Sequence, residues 1–184
     1  AVALGIPLLI LVTSPRIALA VTLPILLIID IWVVFFSNNK IDYKLLTIML
    51  IFGLLGHGFG WYFFDYISNA ALVTFIGSMS VLTAFLYFKK RFLPVKIDLV
   101  AIPPLQSRPI ALWSWGSFWC TLSGIASFIS VSGGIPLQIF LLSCKVPRTV
   151  FIGSAGAFFF ILNLTKVPLY WELDILSKSS LIIS

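Results

Sequence analysis

The sequence predicts an all-α protein, a polytopic bundle of transmembrane helices with two repeated halves and short Gly/Pro-interrupted segments that are broken or re-entrant. Of the 184 residues, 60% are hydrophobic and 10% are charged, against the roughly 25% charged of soluble globular domains. Apolar runs of roughly 20 residues, the length that crosses the hydrocarbon core, recur with only short connectors between them. The basic residues behind the formal charge of +6 fall mostly between those runs, where membrane topology rather than a nucleic acid places them.

Taken in order, Ile17 to Phe36 is long enough to span and is interrupted by Pro24 and one acid, Asp30. Leu45 to Phe64 and Ala70 to Phe88 are the next spans, joined by the polar loop Ser37 to Lys44 and a connector around Asp65 to Asn69, as tight links between antiparallel helices require. A basic, proline-containing segment then runs through Lys89, Lys90, Arg91, Lys96, Pro103, Pro104 and Arg108. It divides the chain into a first half at 1–97, a linker at 98–108 and a second half at 109–184. Pro109 to Gly133 reads as a fourth span whose start carries Trp113, Trp115 and Trp119, an interfacial aromatic belt. Thr149 to Thr165 reads as a fifth.

The stretches Ala1 to Ser14 and Gly134 to Cys144 are apolar but too short to cross, as re-entrant or interfacial segments are. They match each other. Gly5-Ile6-Pro7-Leu8 corresponds to Gly134-Ile135-Pro136-Leu137, and each leads to a Pro-Arg pair, Pro15-Arg16 or Pro147-Arg148, and then to a long apolar span. Interrupted short segments at corresponding places in two halves point to a transporter's binding site. The positive-inside rule puts the Lys89 to Arg108 loop in the cytoplasm. If Gly134 to Cys144 is re-entrant, Lys145 and Arg148 lie outside and the halves are parallel repeats. If it crosses, both lie inside and the halves are inverted. The charges do not decide.

Gly133, Gly134, Pro136 and Gln138, with Gly5 and Pro7 as counterparts of the first half, are candidates for a cradle in which helix-start amides hold an anion; the competing reading is a packing kink. Arg16 and Arg148 offer planar donors to an oxyanion, or act as interfacial anchors. Asp30 sits deep in a span, where an acid needs a cavity, a partner or a proton, so it is a candidate for proton coupling or for a structural hydrogen bond. His57, between Gly56 and Gly60, reads as a packed residue beside a close helix contact, and Gly116, Cys120 and Gly124 repeat that small-residue spacing. Cys120 and Cys144 lack the spacing of a metal site or a disulfide framework. No catalytic constellation and no phosphate-binding loop appears in the sequence, so neither enzymatic activity nor a cofactor is expected.

At Ser123-Gly-Ile-Ala-Ser-Phe-Ile-Ser-Val-Ser-Gly-Gly-Ile-Pro-Leu-Gln138, Lys145-Val-Pro-Arg148 and Phe159-Phe-Ile-Leu-Asn-Leu-Thr-Lys-Val-Pro168, the chain resembles the TauE/SafE family of membrane permeases. Leu23-Pro-Ile-Leu-Leu-Ile-Ile-Asp30 and Asp42-Tyr-Lys-Leu-Leu46 in the first half carry the same likeness. The resemblance implies a secondary transporter that exports sulfite or a related organosulfur anion or small oxyanion across the cytoplasmic membrane of a bacterium. It adds Asn163 and Lys166, within the Asn-x-x-Lys-x-Pro sequence, to the candidate substrate-binding residues. It also implies that the opening helix and the last pair of helices lie outside this sequence. The expected partners are the lipid bilayer and the small anion, sulfite, a sulfonate or similar, with no nucleic acid; homo-oligomer formation is left open. A channel or facilitator and, less favoured, an intramembrane enzyme or its assembly partner are the rival classes.

Overall fold

The computed structural model describes residues 9, 12–37, 41–92 and 107–173. Gly5, Pro7 and most of the linker lie outside them. The described residues form six helices: α1 (Pro15–Ser37), α2 (Tyr43–Phe64), α3 (Asn69–Phe92), α4 (Pro109–Ser130), α5 (Gly134–Ser143) and α6 (Arg148–Glu172). Three of them, α1, α2 and α6, are both long and apolar enough to cross a membrane. Helix α4 has 22 residues, about 33 Å at helical rise, but its tryptophans, serines and glycines make it less apolar.

Side-chain contacts fix the relative directions of α1, α2, α4 and α6. Helices α2 and α4 run parallel, since Gly116 lies against Ile48, Gly124 against Gly53 and Gly56, and Phe128 against Gly60. The α2–α4 contact is backbone on backbone: a Cβ on Gly124 would lie 3.1 Å from the Gly56 Cα, and a Cβ on Gly56 would lie 3.1 Å from the Gly124 Cα. Glycine is needed at both places because nothing larger fits between two backbones at this distance. Helix α6 runs parallel to α2, with the Asp42 amide donating to Ser154 Oγ at 3.2 Å near its start and the Tyr170 ring tilted toward Phe64, centroids 6.5 Å apart, at its end. Helix α1 is antiparallel to α6, because Asp30 meets Asn163 while Val33 meets Gly156.

After α4 the chain reverses. Val131 adopts the left-handed conformation (φ 56°), unusual for a β-branched residue, and its N–H donates to Ser127 O while Ser132 N–H reaches Ala126 O. This Schellman-type closure returns Gly133 to the level of Ser123 and Ser127. From there α5 runs back along α4 until Phe140 packs beside Gly116. With 10 residues, about 15 Å, it covers half a bilayer core, as expected of the Gly-Ile-Pro opening. Its direction sets which helix ends lie together. Lys145 and Arg148 emerge at the end that also holds Lys44 and Arg108, and the helices that follow the two Pro-Arg pairs, α1 and α6, point in opposite directions.

Two buried clusters fill the bundle. One gathers Leu45, Ile48, Met49, Leu137, Phe140 and Phe158 at the basic end; the other gathers Leu19, Leu23, Phe64, Leu72, Phe128 and Tyr170 at the opposite end. Helix α6 continues to Glu172, beyond the expected stop near Thr165. Pro168 removes one intrahelical donor, but Tyr170 is fully buried and its hydroxyl donates to Phe128 O at 2.7 Å, which anchors the extra turn. Helix α4 ends at Ser130 rather than Gly133, cut by the Val131 turn.

Candidate functional site

Between the apolar clusters lies a polar thread that joins three helices. Asn163 on α6 donates through Nδ2 to Asp30 Oδ2 on α1 at 2.6 Å and accepts through Oδ1 from Lys166 Nζ at 2.8 Å. Lys166 donates a second bond to Ser127 Oγ on α4 at 3.0 Å. Lys166 is 0% exposed, Asn163 3% and Asp30 8%. Asn163 and Lys166 share a helix face by their three-residue spacing. The register of α6 against α1 brings that face to Asp30.

The electrostatics follow from this order. A buried charge without a counter-charge is far too costly to persist, and here one acid and one base are buried on the same thread. The Asn163 amide links them, donating to the acid and accepting from the base, and they make no direct contact. Lys166 has three N–H donors and two protein acceptors among the described residues.

Asp30, Ser127, Val131, Gly134 and Asn163, with an apolar wall from Leu26, line a partly open cavity of about 160 Å³. The start of α5 therefore faces the same space as the acid. Its N-cap, Gly133, supplies no side-chain cap, and a Cβ on Gly134 would meet nothing within 4 Å. Ser123 Oγ donates to Gly133 O at 2.6 Å and fixes the turn that presents these glycines. Pro136 has no N–H and the Ile135 N–H donates to Ser132 O at 3.5 Å, so the Gly134 N–H is what this helix start can offer an anion at the cavity.

Of the residues expected from the sequence, Asp30, Gly134, Asn163 and Lys166 come together here, and Gly133 forms the adjoining turn. Pro136 is buried in the first turn of α5 and shapes its start without lining the cavity. Gln138 and Arg148 are exposed, and Arg148, fifteen residues before Asn163, stands about 22 Å away along α6. Arg16 lies in the first turn of α1 with its guanidinium 5.3 Å from the Phe64 ring centroid, at the opposite end from Arg148. The structure brings neither arginine to the cluster.

Ser127 and Ser123 were not among the expected residues. Their signal is a four-residue spacing that places both hydroxyls on one face of an apolar helix. His57 is packed, as expected. It is 2% exposed, its Nδ1 lies 3.2 Å from Thr165 Oγ1, and its ring meets Phe128 edge-on. Cys120 and Cys144 are both free and buried.

No match to the chain was found among curated proteins or among solved structures. The family described as "Sulfite exporter TauE/SafE" matches residues 2–183, nearly the whole chain. The long apolar helices agree with a membrane protein, and the chain belongs to the TauE/SafE sulfite exporter family.

Proposed function

We propose that this chain carries the substrate site of a secondary transporter that exports sulfite, or a related small organosulfur anion, across the cytoplasmic membrane. The observation that supports it most is the placement of Lys166, fully buried, behind a cavity that Ser127, Asn163 and the α5 start line. An intramembrane cation with a nearby cavity is expected on an ion pathway, and the α5 start adds favourable dipole charge. Asp30 holds the site neutral when no anion is bound. An entering anion competes with it for the positive field, so Asp30 is the candidate proton-coupling group.

The halves would be inverted repeats, with residues 1–14 as the counterpart of α5. The end bearing Lys44, Arg108, Lys145 and Arg148 would face the cytoplasm by the positive-inside rule. The experiment is export of radiolabelled sulfite from cells that lack their own exporter and express the full-length protein. Export that saturates with internal sulfite supports the carrier, whereas export no faster than in vector-bearing cells overturns it.

A further inference from the structure

Resting on the carrier reading, we infer that the cavity selects an oxyanion bearing a hydrogen-bond donor of its own over an aprotic anion of the same size. The inference starts from the two oxygens of Asp30. Oδ2 is engaged by Asn163. Oδ1 has no donor among the described residues, yet it is not among the buried polar atoms left without a partner, because the side chain borders the cavity. An otherwise anion-attracting pocket thus carries one bare carboxylate oxygen.

Among the described residues, the other polar elements of the cavity do not bond that oxygen. Asn163 uses both ends, toward Asp30 and Lys166. Ser127 accepts from Lys166 and keeps its own proton for a ligand or a backbone carbonyl. Lys166 does not line the cavity. A ligand that fits this lining therefore meets two demands. It accepts from the α5 start and the Ser127 side, and it donates to Asp30. An oxyanion with an O–H or N–H does both. An aprotic one sets an acceptor against a carboxylate, which leaves two like-charged groups facing each other in a partly buried space. Sites built around a buried hydrogen-bonding group reject ligands that cannot complete the bond far better than apolar pockets reject a size change. A charge-assisted bond gained or lost changes affinity by roughly tenfold to a hundredfold.

For sulfite itself, the inference makes the protonated monoanion the transported species, with its proton on the Asp30 side. The site would then carry a proton with the anion even while Asp30 stays ionised.

The test uses purified full-length protein and two sulfonates of equal heavy-atom count, 2-hydroxyethanesulfonate, which carries a donor, and 1-propanesulfonate, which does not. Binding is read as the concentration of each that gives half of its maximal thermal stabilisation, and both are also tested as inhibitors of sulfite export. The expected result is a preference for the hydroxyl compound of at least about tenfold, reduced to near parity in Asp30→Asn. Equal half-saturation by the two, stabilisation by neither, or an undiminished preference in a folded Asp30→Asn overturns the inference. If Asp30→Asn does not fold, the wild-type comparison decides alone. Preference without export would refute the carrier reading and leave the inference standing; saturable export without preference would do the reverse.

Discussion

At the scale of single residues, the account turns on whether the Asp30–Asn163–Lys166 thread is one electrostatic unit. Removing one member of a buried compensated pair strands the other, at a cost of about 3–5 kcal/mol. Lys166→Met should therefore lower the thermal unfolding midpoint of the purified protein markedly, and Asp30→Asn combined with Lys166→Met should restore most of the loss. A double variant no more stable than the single one would show that the two charges do not compensate each other. Asp30 was legible in the sequence, because an acid deep in an apolar run stands out and needs a partner; Asn163 and Lys166 entered through the family resemblance alone, since the span was expected to stop at Thr165. Ser127 was not legible: a serine in an apolar helix can satisfy itself on a carbonyl four residues back, as Ser130 does on Ala126, and only the register of α6 against α4 shows the difference. The arginines lie apart from the cluster, where the anchor reading put them. Their donor chemistry suits an oxyanion, but position along the helix, which charge alone does not reveal, sets Arg16 and Arg148 at opposite ends.

At the scale of elements, the α2–α4 contact should be the least tolerant part of the bundle. Gly124→Val places a branched side chain against the backbone of Gly53 and Gly56 and should cost about 1–3 kcal/mol or more, seen as loss of monodisperse protein in detergent. Gly58→Ala is the control, since a Cβ there meets nothing within 4 Å, and it should leave stability unchanged. Equal behaviour of the two would remove the close contact from the account. The half-length of α5 was legible from the Gly-Ile-Pro opening and the Pro-Arg pair that follows. Its direction was not, because charge counting gives a similar balance either way. It took the pairing of Phe140 with Gly116 to settle it. The end of α6 was misread for a physical reason: proline removes one hydrogen bond, but the burial of Tyr170 and its bond to Phe128 O hold the turn beyond it. Tyr170→Phe should loosen that last turn by about 1 kcal/mol, measured as faster amide exchange after Pro168.

At the scale of the whole molecule, charges near the helix ends fall into two groups. Lys44, Arg108, Lys145 and Arg148 share one end with Asp42, and Arg16, Asp65 and Glu172 lie at the other. With Cys120 and Cys144 replaced, a membrane-impermeant thiol reagent added to intact cells should label Asp65→Cys and spare Arg148→Cys until the membrane is permeabilised. The reverse pattern would invert the topology. The central claim is that the buried charge pair serves transport and not only folding, and the most direct measurement separates these roles. Full-length protein carrying both Asp30→Asn and Lys166→Met is reconstituted into liposomes preloaded with unlabelled sulfite, and the transient accumulation of external radiolabelled sulfite is followed. Such counterflow is a property of a carrier and not of a channel. The account predicts counterflow in the wild type and none in the double variant, although that variant inserts and stays folded. Wild-type counterflow in the double variant would contradict it.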